Sequence, residues 1–185
     1  MTKLFSLGGI LIFIGGIVFA GIFGFTLEYT NTTEFCTSCH SMQTNLNELK
    51  ETVHHKSASG VAAGCADCHV PRSLGPKLWA KFMAAKDVYH EIMGTIDTPE
   101  KYEAHRWDMA NRVWAKMKAS DSRECRDCHS FDSMDFDEQG GPTSKKHQNA
   151  TTKGQTCIDC HKGIAHEEPE EPEEPEAPAE EGTTT

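Results

Sequence analysis

The sequence predicts a mainly α fold with extensive loops, carried on a single N-terminal transmembrane helix. Three observations lead there. The run from Leu4 to Leu27 contains no charged residue. Beyond it, β-branched runs are few and nothing argues for a sheet, while residues 76–119 repeat apolar residues at helical spacing. Finally, all eight cysteines fall in four Cys-x-x-Cys-His motifs.

The charge-free run, LFSLGGILIFIGGIVFAGIFGFTL, spans about 36 Å as a helix, enough for a bilayer core of about 30 Å. Its glycines, from Gly8 to Gly24, are better tolerated in a membrane helix than in a soluble one. A cleaved secretory signal would be shorter and would end in a small-residue site. Residues 4–27 are therefore read as an uncleaved anchor. Lys3 precedes it, and Glu28 and Glu34 follow it. The positive-inside bias then places residues 1–3 in the cytoplasm and the body outside a bacterial inner membrane, in the periplasm.

The formal charge of −10 is concentrated in the stretch from Glu167 to Glu181, which has no Lys or Arg. Residues 167–185 read as a solvated acidic tail, and 28–166 as a nearly neutral folded body. No basic stripe suggests nucleic acid. Once the anchor is set aside, the body is poor in Leu, Ile, Val and Phe, so side chains alone give it a meagre core.

Two helices are expected in the middle of the body. Pro76–Gly94 places Leu78, Phe82, Ala85 and Val88 or Tyr89 on one face. Thr98-Pro99-Glu100 is a helix start, with a cap residue, a first-turn proline and an early acid. That helix continues through Trp107, Trp114 and Met117, with the tryptophans read as packing residues. Gly140-Gly141-Pro142 reads as a loop.

The body also contains a repeat. Motif histidines at 40, 69, 129 and 161 give spacings of 29, 60 and 32. CTSCHS resembles CRDCHS, and CADCH resembles CIDCH. This pattern gives two dihaem units, about 36–72 and 125–166, joined by a helical linker, 76–119.

Cys-x-x-Cys-His is the c-type haem attachment signature, two thiols for the vinyl groups and a histidine for the iron. Zinc sites also use paired cysteines, but four copies each followed by His and leaving no cysteine over favour haem. The attachment residues are Cys36, Cys39, Cys65, Cys68, Cys125, Cys128, Cys157 and Cys160, for four covalently bound haems. His40, His69, His129 and His161 are the motif ligands to iron. Among the remaining histidines, His54, His147 and His166 lie in turn-rich segments near motifs and are candidate ligands. His55 competes with His54, and His90 and His105 on the helices read as surface or packing residues. Met42, in CTSCHSM, offers a thioether to the first iron. Eight residues separate Leu27 from Cys36, which puts this first haem at the membrane surface.

The anchor, CTSCHSM, His54 with Gly60-Val61, CADCHVP, KFMAAKD, GTIDT, AHRWDMA, SRECRDCH and TCIDCHKGIAH together resemble the NapC/NirT family of membrane-anchored tetrahaem quinol dehydrogenases. The acidic tail has no counterpart in that pattern. The resemblance implies that haem 1 faces quinol, with Met42 in place of His40 as its ligand in some members. It implies a quinol pocket at Lys81 and Asp87, and distal ligation by His166 at haem 2, His54 at haem 3 and His147 at haem 4. The partners it implies are menaquinol or ubiquinol in the membrane and a periplasmic reductase, such as nitrate or nitrite reductase. Association into a homo-oligomer is compatible with the sequence.

The residues themselves suit that pocket. Quinol oxidation releases protons, which a carboxylate accepts, while an ammonium orients the hydroxyl. Six positions along a helix turn about 120° the short way, so Lys81 and Asp87 flank a ligand rather than pair. The expected activity is quinol oxidation with delivery of electrons to a periplasmic acceptor in anaerobic respiration. The rivals are a tethered relay between proteins without a quinol site, and a multihaem nitrite or hydroxylamine reductase.

Overall fold

An apolar run with no polar face can only form a helix that is greasy all round. The computed structural model, which describes residues 7–172, shows α1 (Leu7–Tyr29) as such a helix with none of its residues buried. It is the one helix among the described residues long and apolar enough to cross a membrane. Residues 1–3 and the tail beyond residue 172 lie outside the described residues.

Short helices and turns follow: α2 (Thr33–Cys36), α3 (Met42–Lys50) and α4 (Cys65–His69). Two long helices come next, α5 (Leu74–Ile92) and α6 (Pro99–Ala119). The chain ends through α7 (Arg123–Arg126), a 3-10 turn at Phe131–Ser133, α8 (Gly141–Thr152) and a 3-10 turn at Cys157–Asp159. No strand occurs among the described residues, so the mainly helical expectation holds.

α6 starts where its sequence signal lies, with Thr98 Oγ1 accepting from Lys101 N at 3.3 Å and proline in the first turn. α5 begins two residues earlier than the expected Pro76, because a helix tolerates proline in its first turn. Gly140-Gly141-Pro142 differs from expectation: it opens α8, with Pro142 in the first turn. This puts His147 on a helix rather than in a turn-rich segment. GPTSKKHQNATT carries no apolar stripe, so periodicity had nothing to register.

Only Leu49, Pro71, Ile96, Tyr102 and Ile158 are buried apolar residues among the described residues. The body is instead tied at its motifs. Asp67 Oδ2 accepts from Gly64 N at 2.8 Å, and Asp159 Oδ2 from Thr156 N at 2.8 Å. In CADCH and CIDCH the aspartate thus reaches back to cap the turn that presents the cysteines. Lys118 Nζ, 2.6 Å from Asp159 Oδ1, and the Thr156 N–H hold that carboxyl down to about 2.

Between α6 and α7 the chain takes two consecutive left-handed residues, Asp121 (φ 53°) and Ser122 (φ 48°). Non-glycine residues adopt this region at a cost, so something must fix them there. Ser122 is fully buried, its N–H donates to Met117 O at 2.7 Å, and its Oγ accepts from Ile158 N at 3.1 Å. The turn thus joins the third motif to the fourth. Ser122→Ala strands the Ile158 N–H and should destabilise the body by about 1–3 kcal/mol. Thermal unfolding reads this as a fall in Tm of about 2–4 °C per kcal/mol, and an unchanged Tm would remove the role.

Candidate functional site

The four Cys-x-x-Cys-His motifs are neighbours in series. Motifs one and two meet where Cys65 N donates to Thr33 Oγ1 at 3.4 Å. Gly64 permits this approach, since a Cβ there would lie 2.8 Å from Thr33 Oγ1. Before haem is attached, the Cys36 and Cys65 thiols act on one another, which pushes Cys36 up and holds Cys65 down to about 6. Motifs two and three meet through α4 and α7. There Arg72 Nε lies 3.4 Å from Asp127 Oδ2, and the Cys68 thiol feels Cys128 as well as its own burial, which pushes it up. Motifs three and four meet at Ser122 and Ile158, with Cys125 pushed up to about 11 by burial and by Cys157 nearby.

Imidazole rings then face one another across these motifs. His69 and His166 have ring centroids 6.1 Å apart, His54 and His129 6.3 Å, and His147 and His161 5.9 Å. Two imidazoles bound on opposite sides of one metal ion, each through a nitrogen about 2 Å away, hold their centroids about 6 Å apart. Each motif histidine of the last three sites thus has a second ring at the separation that an iron between them requires. The residues present fit haem.

Ring orientation has its own supports. Gln139 Oε1 accepts from His147 Nδ1 at 2.7 Å, leaving the other ring nitrogen free for metal. His54 Nδ1 is buried without a hydrogen-bond partner, so packing holds that ring. Gln139 carried no signal in the sequence, because only the fold brings it beside His147.

His40 differs: among the described residues no second imidazole faces it. Met42 opens α3, with its Sδ 3.8 Å from Asn45 Nδ2. His90 Nδ1 lies 3.2 Å from Thr95 Oγ1, and His105 Nδ1 donates to Lys101 O at 2.8 Å. The first contact reaches just past the end of α5 and the second stays within α6.

α5 runs alongside the first motif and is tethered at both ends. Near its start, Lys81 Nζ donates to Thr30 O at 3.0 Å, one residue past the end of α1, and Lys77 Nζ lies 4.0 Å from Glu28 Oε1. Near its end, Ser41 Oγ donates to Glu91 Oε2 at 2.5 Å, beside His40. Burial pulls the Lys81 ammonium down, with Cys36 acting in the opposite sense. Asp87 is exposed, one turn before Glu91, with no ion pair among the described residues. Trp79 and Phe82 stack at 5.7 Å on the same helix and are exposed.

The sequence of the NapC/NirT cytochrome c family, N-terminal region, matches residues 2–171. This chain belongs to that family. A tetrahaem cytochrome c-type protein of Allochromatium vinosum is 61% identical over 91% of this chain and 92% of its own. The denitrification system component NirT of Stutzerimonas stutzeri is 53% identical, covering 90% and 84%. The cytochrome c-type protein NapC of Escherichia coli K12 is 49% identical, covering 89% and 84%. A similar solved structure is the cytochrome c nitrite reductase NrfHA complex bound to the HQNO inhibitor, with a TM-score of 0.47, 25% identity, and coverage of 87% of this chain and 89% of that one. The chain is a tetrahaem c-type cytochrome of electron transport with one N-terminal membrane helix.

Proposed function

We propose that this cytochrome oxidises quinol beside its first motif and delivers the electrons to a reductase in the periplasm. The observation that carries the reading is the Lys81 ammonium held on Thr30 O at 3.0 Å, which joins α5 to the end of the membrane helix next to Cys36. A quinol headgroup rising from the bilayer along α1 meets Lys81 first. The ammonium orients a quinol oxygen, and Asp87, about 9 Å farther along α5, accepts a proton and passes it to solvent. When bound, the four haems supply one-electron transfer in the order in which the chain lines up their attachment motifs.

The chain's own residues define the ligand sets. His69 with His166, His129 with His54, and His161 with His147 close the second, third and fourth sites. At the first site Met42 or His40 would hold the iron, and no second imidazole pairs with His40 among the described residues. A relative that is a denitrification system component favours a periplasmic reductase of such a system as acceptor. Lys3 before α1 and Glu28 and Glu34 after it favour a cytoplasmic N-terminus and a periplasmic body.

Reduction by a quinol analogue in proteoliposomes tests the pocket. Asp87→Asn should slow it by about a hundredfold, the scale of a lost general base. Lys81→Ala should slow it by about tenfold, the scale of a lost charged hydrogen bond. Dithionite should still reduce all four haems in both variants. Rates equal to the parent would remove the pocket. Reduction by a reduced protein donor but not by quinol would instead make the chain a relay.

A further inference from the structure

Residues 162–172, after the fourth motif, have no regular secondary structure, yet they include His166, whose ring lies 6.1 Å from that of His69. Chain ends fray unless they are tied down. The hydrogen bonds identify the tie. Arg106, on α6 and only 8% exposed, donates Nη2 to Glu167 O at 2.9 Å and to Glu48 Oε1 at 2.6 Å. Glu48, on α3, accepts from Glu167 N through its other oxygen, Oε2, at 3.0 Å. One ion pair therefore holds both backbone groups of the residue next to His166.

The pair is itself fixed. Glu103 Oε1 accepts from Arg106 Nη1 at 3.1 Å, and the guanidinium sits 5.8 Å from the Tyr102 ring centroid. Tyr102 Oη donates to Asn45 Oδ1 at 2.8 Å, which ties α6 to α3 and so sets Arg106 against Glu48. His166 Nδ1 is 3.8 Å from Glu48 Oε2, too far for a hydrogen bond. The grip is on the main chain, not on the ring. It uses one guanidinium nitrogen, Nη2, for both Glu167 O and Glu48 Oε1, with Nη1 held by Glu103, and two carboxylate oxygens on the other side.

We propose that Arg106 and Glu48 form a peptide clamp that positions His166 against the second haem. They are positioning residues, and the inference rests on the reading of His166 as that haem's distal ligand. Without the clamp the histidine leaves the iron part of the time, and one haem in four loses its low-spin state.

Spectroscopy on the oxidised, full-length membrane protein tests this, with covalent haem content measured alongside. His166→Ala should keep four haems, convert one from low spin to high spin, and regain the low-spin signal with added imidazole. Arg106→Leu should give the same signature and the same imidazole rescue, and Arg106→Lys a smaller conversion. An unchanged spectrum in Arg106→Leu, with conversion in His166→Ala, overturns the clamp and leaves the ligand assignment standing. An unchanged spectrum in His166→Ala overturns the assignment and the clamp with it. Conversion that imidazole does not reverse means general loosening and also overturns the clamp. Where Arg106→Leu fails to accumulate, Glu48→Gln decides. It keeps one acceptor, for Glu167 N, and removes the charge and the acceptor that face Arg106, so partial, imidazole-reversible conversion supports the clamp and a parental spectrum overturns it.

Discussion

Replacing Cys65 and Cys68 together by serine should abolish accumulation of the folded protein, not merely subtract one haem. The second motif sits in the middle of the series, against the first through Thr33 and against the third through Arg72 and Asp127. Buried apolar side chains number five among the described residues, so the porphyrins supply the bulk that a core would otherwise contain. Truncating one large aromatic in an ordinary core costs about 3–5 kcal/mol. A porphyrin is larger than any side chain, and a whole domain is stable by only about 5–15 kcal/mol. Immunoblots and haem staining of membranes read the result. Parental amounts of a protein with three haems would show that the motifs fold independently.

Removing α1, so that the chain starts near Thr33, should release a soluble cytochrome that keeps four haems and is reduced by dithionite. Its reduction by quinol in vesicles should fall by more than tenfold. α1 buries none of its side chains in the protein, so the body loses little packing with it. Each large apolar residue it places in lipid is worth about 1.5–3 kcal/mol, and together they exceed any surface adsorption. Loss of the helix also removes the Thr30 carbonyl that holds Lys81. Alkaline extraction separates the two forms, and an unaltered quinol rate in the soluble one would detach the quinol site from the membrane.

The parts of the fold that local chemistry dictates were legible beforehand. The anchor needed only the charge-free run, α6 its Thr98-Pro99-Glu100 start, and haem attachment the four motifs. α8 was hidden because GPTSKKHQNATT lacks an apolar face, and its proline was the single cue. Spacing could not pair the histidines, and the expected partners came from family likeness. The ring distances are independent of that likeness. Gln139, Arg106 and Glu48 were illegible for one reason: each acts on a residue that only the tertiary fold brings near. The Glu48–Glu167 contact joins residues 119 positions apart.

The interleaved histidines also determine when the protein becomes whole. His54, from the first half, faces His129, and His69 faces His166 near the end of the body. The first two motifs precede the rest of the body in synthesis. On the proposed ligand assignment, the second site would stay one-sided until the last part of the body arrives and docks. Such long-range closure is entropically slow compared with helix formation. A chain interrupted before His166 would hold every attachment cysteine and still leave an iron with an open face. Under that assignment, completion of synthesis would be recorded in the spin state of the second haem.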